Sequence, residues 1–142
     1  MTDHDVRQFL RGRQDKYCKH DPAALAADHT ADGVVHSPLF PSLNGRQEIE
    51  HAYAALFRIF PDWAVAFDEP IVDVSGRVAH ACSVTGTHRG ELLGIAGTGR
   101  HIKFRGVLLY TMVDGLIAEE SRLYDFTGVL MQAGVLRAKP SA

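Results

Sequence analysis

No apolar run in this 142-residue chain approaches the roughly 20 residues that a membrane span needs. No block of one charge sign stands out either: 15 Lys and Arg are interspersed with 17 Asp and Glu, for a net charge of −2. That balance creates no basic field, so neither nucleic acid nor an anionic membrane is an expected partner. Cysteine is scarce, with Cys18 and Cys82 as the two in the chain, and neither belongs to a metal or redox spacing. The start, Met1-Thr2-Asp3-His4-Asp5, is polar and acidic, unlike a signal peptide, so a reduced, cytoplasmic setting is expected. Eight histidines are present, yet no H-E-x-x-H, paired-Cys or Asp-rich calcium motif accompanies them, and neither metal nor cofactor is expected. No Ser sits in G-x-S-x-G. The glycine-rich stretch 94–99 opens no helix and reads as a loop, not a phosphate cradle.

The chain also lacks repeats, low-complexity stretches and linkers, which leaves one domain over residues 1–142 with a loose tail at 139–142. What it has is ordered punctuation. Val6, Phe9, Leu10, Arg13 and Tyr17 recur at helical spacing, with Asp3 or Asp5 near the start. Asp21-Pro22 opens a second short helix, since Asp caps and Pro suits a first turn. After a short strand at 33–37, Asn44-Gly45 precedes a third helix. Its stripe is Ile49, Tyr53, Leu56, Phe57 and Phe60, and Pro61 stops it. Strand patterns follow at 63–74, 77–87, 101–113 and 116–125, then a short helix near 128–132. Helices first and a long meander afterwards predict an α+β fold, with a curved antiparallel sheet packed against three N-terminal helices and a short C-terminal helix. A pocket fits between them.

Asp114-Gly115 is a two-residue hairpin signal and sets a register. With Val113 opposite Leu116, Tyr110 pairs with Glu119, Leu108 with Ser121 and Phe104 with Asp125. One face then carries Phe104, Leu108, Tyr110, Ser121 and Asp125, a largely apolar floor with few polar groups. Asp125 at its end would lose solvation, and its pKa would rise toward the range useful for proton transfer. The competing reading is that Asp125 caps the closing helix, because Thr127-Gly128 follow. His36, between Val35 and Pro38, is a second candidate, although a lone strand histidine is more often structural. Tyr110 is more often a core aromatic with one partner for its hydroxyl. The opposite face, with Arg105, Val107, Leu109, Thr111 and Arg122, is expected to pack on a second copy.

Thr85-Gly86-Thr87-His88-Arg89-Gly90-Glu91-Leu92-Leu93-Gly94-Ile95, then Thr98-Gly99-Arg100 and Phe104-Arg105-Gly106-Val107, resembles the central signature of SnoaL-like polyketide cyclases. Asp114-Gly115-Leu116-Ile117-Ala118-Glu119-Glu120, Tyr124-Asp125 and Gly128-Val129-Leu130-Met131-Gln132-Ala133-Gly134 are similar to the C-terminal signature. Gly45-Arg46-Gln47-Glu48-Ile49 and Phe60-Pro61-Asp62-Trp63 match the third-helix region. The resemblance implies the cone fold shared with nuclear transport factor 2, usually as a homodimer. It also implies cofactor-free acid/base chemistry on a small apolar carbonyl compound, by aldol cyclisation or isomerisation. It places the acid/base role on Asp125 and matches His36 to a pocket histidine; with the face reading above, Tyr110, Ser121, Leu108, Phe104 and Trp63 are the expected ligand contacts. Leu108 stands where many relatives have an acidic residue, and Ser121 where many have Trp. Two alternatives stay open: an epoxide hydrolase-like enzyme, for which Leu108 leaves a second carboxylate missing, and a non-catalytic ligand-binding or dimerisation module.

Overall fold

In a computed structural model, which describes residues 1–137, the chain runs α1 (Asp3–Cys18), α2 (Pro22–Ala27), β1 (His29–His36), β2 (Leu43–Asn44), α3 (Gly45–Ile59), β3 (Ala64–Phe67), β4 (Ile71–Val72), β5 (Arg77–Thr87), β6 (His101–Val113), β7 (Leu116–Tyr124) and α4 (Phe126–Gln132). The expected tail at 139–142 lies outside the described residues. No described helix is long and apolar enough to cross a membrane.

Local chemistry sets the element ends. Thr2 caps α1: its hydroxyl accepts from the Asp5 backbone N–H at 3.1 Å, and Asp5 accepts from the Thr2 backbone N–H at 2.9 Å. That reciprocal pair fixes the start one residue ahead of the two aspartates singled out in the sequence. Asp21 caps α2 through the Ala24 N–H at 3.1 Å. Ile59 ends α3 two residues before Pro61, as a proline requires of the backbone ahead of it.

The seven-stranded sheet has the order β2-β1-β7-β6-β5-β3, with β4 also on β5. It is mixed rather than wholly antiparallel, because β1 lies parallel to β7. The expected strand 63–74 divides into β3 and β4 around Asp68-Glu69-Pro70.

The hairpin turn is the two-residue loop expected of Asp114-Gly115, with φ of 51° and 77°, and Val113 pairs with Leu116. The register, however, slips three residues further on. Met112 pairs with Ile117, but Thr111 pairs with Glu119, so Ala118 is an extra residue on β7. This β-bulge turns every later β7 side chain to the other face. Tyr110 therefore faces Glu120, Leu108 faces Arg122 and Gly106 faces Tyr124. The β6 half of the expected faces stands, and the β7 half is exchanged. Glu120, Arg122 and Tyr124 belong to the inner, helix-covered face, while Glu119, Ser121 and Leu123 belong to the outer face.

The inner face carries two apolar clusters. One joins α3, α4 and the mouth end of the sheet, with Tyr53, Leu56, Phe60, Ile102 and Val129 among its members. The other lies under the first half of α1, with Val6, Leu10, Val78, Leu108, Tyr110 and Ile117. Between them the core is polar.

Candidate functional site

A narrow cavity opens between the helices and the inner face of the sheet. Its walls are aromatic. Trp63 meets Phe104 edge-on with ring centres 6.0 Å apart, and Phe104 lies 5.0 Å from Tyr124 at a tilt of 32°. Gly106 belongs to the floor, where a Cβ would stand 3.1 Å from the Leu123 carbonyl oxygen. Of the expected ligand contacts, Phe104, Leu108 and Trp63 line this cavity. The Trp63 indole N–H is buried with no protein acceptor among the described residues.

The other candidates lie elsewhere. Tyr110 is on the inner face but packs into the cluster under α1, fully buried, away from the cavity wall. Ser121 is turned by the bulge to the outer face, opposite Leu109. His36 is also outside: it is 45% exposed, with Nε2 3.2 Å from Glu119 Oε1 and Nδ1 3.2 Å from Ser42 Oγ. The sheet thus separates His36 from the cavity.

Asp125 is exposed at the N-cap of α4, where Oδ1 accepts from the Gly128 N–H at 2.9 Å. Its other oxygen occupies the space that a Cβ at position 128 would need, so the carboxylate folds over a glycine. It is not among the cavity-lining side chains. The bulge is the physical reason: the strand parity that aimed Asp125 inward is inverted after Ala118. Asp125→Asn should therefore change unfolding free energy by less than about 0.5 kcal/mol, and Asp125→Ala should cost about 1 kcal/mol. Neither should alter ligand affinity. A loss of binding in Asp125→Asn, measured by titration calorimetry, would restore an inward role.

Polar groups gather at the cavity's deep end, where the sequence reading had not placed them. Arg122, on β7, lines the cavity with a side chain 12% exposed. Its Nε donates to Glu120 Oε2 at 2.5 Å, and its Nη2 donates to the Tyr53 hydroxyl at 3.0 Å. Nη1 has no protein acceptor among the described residues. Arg13, on α1, donates to the same Tyr53 oxygen at 3.0 Å and to Asp28 Oδ2 at 3.1 Å. Its Nη2 also lies 3.5 Å from Glu120 Oε1. Lys16 closes the set on Asp28 Oδ1 at 2.5 Å. Tyr17, one α1 turn past Arg13, lines the cavity and shares a 2.7 Å hydrogen bond with Tyr53.

These charges set one another's ionisation. Burial alone would raise the Glu120 carboxyl, but the Arg122 and Arg13 charges outweigh it and hold the group below its usual range. Burial pushes the Tyr17 hydroxyl well up, so it stays protonated. His29, buried beside Glu120, is driven down to about 4 by burial. The Cys82 thiol, also on the wall, is pushed up to about 11 by burial and is inert as a nucleophile at neutral pH. The arrangement offers a fixed cation and hydroxyl donors inside apolar walls, which suits an oxygen atom that gains negative charge. No Asp or Glu lines the cavity among the described residues, and no cluster of three His, Cys, Asp or Glu there could hold a metal ion.

One signal of this network was present in the sequence. Arg13 sits in the stripe of Val6, Leu10 and Tyr17, and a cation within an apolar stripe is buried with a partner or not at all. Glu120 and Arg122 gave no such signal without the bulge.

The SnoaL-like polyketide cyclase description matches residues 7–133. No curated protein matches the chain in sequence. Among solved structures, TsrD from Streptomyces laurentii superposes with a TM-score of 0.82 at 20% identity, over 96% of this chain and 99% of that one. AclR from Streptomyces galilaeus, a candidate hydroxylase, gives 0.81 at 20% identity over 98% and 91%. IdmH from Streptomyces antibioticus, a candidate polyketide cyclase, gives 0.72 at 22% identity over 92% and 99%. At such identities the likeness is one of fold, the cone shared with nuclear transport factor 2. With a match over most of its length, the chain belongs to the SnoaL-like polyketide cyclase family.

Proposed function

We propose that the cavity binds a small, flat, apolar carbonyl compound and promotes cofactor-free ring closure or isomerisation through its enolate. The observation that carries this is Arg122: a guanidinium fixed on two sides by Glu120 and Tyr53, with Nη1 uncommitted, in a wall that is otherwise mostly apolar. Substrate oxygen accepts from this donor. Charge develops on that oxygen as a carbon-bound proton leaves, and a preorganised cation in a dry site stabilises the charge more than water would. A methylene between two carbonyls is acidic enough to give its proton to water at the mouth once the enolate is held. For ring closure, the enolate carbon attacks a second carbonyl of the same molecule, and the resulting alkoxide takes up a proton. Phe104, Trp63 and Leu108 hold the flat skeleton. Asp125 and His36 have no part in this scheme.

The test is exchange of a carbon-bound proton. With a small open-chain 1,3-diketone, at a mildly acidic pH where it is mostly un-ionised in deuterium oxide, proton NMR should show exchange accelerated by the protein. Arg122→Met should lose about 10²-fold or more of that acceleration, as when an oxyanion donor is removed. A second reading, a ligand-binding module without turnover, is favoured by the lack of a carboxylate on the cavity wall. It stands if the diketone binds and exchange stays at the background rate.

The expected homodimer is part of the same reading. Leu109, Val113 and Leu123 are exposed on the outer face, with relative accessibilities of 40%, 46% and 54%. Arg105 stands beside them in an exposed pair with Asp68 at 2.6 Å. Arg122, once assigned to this face, is on the other one. Sedimentation at micromolar concentration should give a dimer, and Leu109→Glu should shift it toward monomer. A wild-type monomer at that concentration would remove the dimer from the proposal.

A further inference from the structure

The Tyr17–Tyr53 hydrogen bond has a direction, and the direction bears on what the cavity can hold. A tyrosine oxygen has two lone pairs and one proton. Both lone pairs of Tyr53 are occupied, because Arg13 Nη2 and Arg122 Nη2 each donate to it at 3.0 Å, and a guanidinium cannot accept. The proton in the 2.7 Å bond to Tyr17 is therefore that of Tyr53. Tyr17 is left as the acceptor, and its own O–H proton has no acceptor among the described residues. Tyr17 is 5% exposed and lines the cavity, so the remaining place for that proton to donate is a molecule inside it. The Trp63 N–H, also on the wall, is a second donor without a partner.

The charges behind the pair point the same way. The ionised groups around it are Arg13 and Lys16 on α1, Asp28 ahead of β1, and Glu120 and Arg122 on β7, so three cations stand against two carboxylates. His29 on β1 is neutral at physiological pH, with its pKa lowered to about 4. The set as a whole carries one more positive than negative charge, and Arg122 is its member on the cavity wall.

Building on the reading of the cavity as the ligand site, we infer that its ligand is bound as an oxyanion, an enolate or phenolate on a flat hydrocarbon skeleton, with the Tyr17 hydroxyl as a second donor, beside Arg122, to that oxygen. The Tyr53 hydroxyl, donating to Tyr17 and polarised by two guanidiniums, strengthens Tyr17 as a donor. A ligand that enters as a neutral enol or phenol leaves its proton in the solvent; Tyr17 keeps its own proton and holds the charge.

The probe is 2-naphthol, compared with 2-methylnaphthalene, which has nearly the same shape without the oxygen. Both are titrated into the wild-type protein at a pH where free naphthol is mostly protonated. The bound naphthol should show the red-shifted naphtholate absorption band, and it should bind at least about tenfold tighter than the methyl compound, the value of one hydrogen bond to a charged group. Tyr17→Phe should remove that advantage and leave methylnaphthalene affinity within about twofold. Naphthol bound in its neutral form, or no tighter than methylnaphthalene, overturns the oxyanion inference while the cavity reading stands. If neither compound binds, both fail. The wild-type comparison decides the matter even if the variant does not fold.

Discussion

Glu120→Gln is expected to lower the unfolding free energy by about 3–5 kcal/mol, the usual cost of removing one partner from a buried ion pair. Glu120 is fully buried and takes the Arg122 Nε–H at 2.5 Å, with Arg13 Nη2 at 3.5 Å. Glutamine keeps the shape and an acceptor oxygen but removes the charge. Arg13 would keep Asp28, which Lys16 also holds, but Arg122 would have no carboxylate partner, and the excess positive charge would sit in a medium that screens poorly. Urea denaturation should show a lower midpoint with an unchanged slope. A second variant separates charge from packing. Glu120→Gln with Arg122→Met removes the pair together, and an apolar replacement of a buried pair is often neutral, so the double variant should recover much of the loss. A single variant within about 1 kcal/mol of wild type would mean that Glu120 does not hold Arg122 in place. The same pair of variants bears on the proposed function, in which the fixed position of Arg122 lets it meet a substrate oxygen.

The features legible in the sequence are those governed by local chemistry. The α3 stripe ending at Pro61, the Asp21-Pro22 helix start and the Asp114-Gly115 turn all depend on residues adjacent in the chain, and each stands in the structure. The inner positions of β6 were legible for the same reason. Phe104 and Leu108 lie on the strand before the turn, and a simple alternation counted back from Met112 reaches them. The β7 positions were not, because Ala118 interrupts the alternation and nothing in Leu116-Ile117-Ala118-Glu119-Glu120 marks which residue is extra. Of the two adjacent glutamates, one is exposed beside His36 and the other is fully buried between arginines. Their identical chemistry gives no means of telling them apart before β6 and α1 are in place. One extra residue therefore moved Ser121 and Asp125 away from the cavity and brought Arg122 to its wall. The parallel β1–β7 pairing was hidden for a similar reason: pairing across everything from β2 to β6 is a long-range choice that leaves little trace in β1 itself.

Acid should destabilise the protein in two separable steps, and His29 should be responsible for the first. His29 is 0% exposed, and neither ring nitrogen has a hydrogen-bond partner in the protein among the described residues. Burial disfavours its imidazolium; Glu120, 3.7 Å away, favours it, and Arg13 and Arg122 oppose it, with a folded pKa of about 4 against 6.5 as the outcome. The sign follows from where the proton goes. Above pH 6.5 neither the folded nor the unfolded chain protonates this ring. Between 6.5 and 4 the unfolded chain takes up a proton that the folded chain refuses, so stability falls as pH falls through this window. Below 4 both forms carry the proton and the loss levels off at about 3 kcal/mol. Glu120 acts lower down. Its folded pKa is depressed below 4.5, so its contribution is present above that value and is lost as pH drops through the folded one. His80, whose pKa is also lowered by burial, adds to the upper step in wild type and variant alike. Urea unfolding at pH 7 and pH 4 should therefore show a drop in wild type that is smaller by about 3 kcal/mol in His29→Gln. The same drop in both proteins would mean that the folded protein takes up the His29 proton as readily as the unfolded chain does.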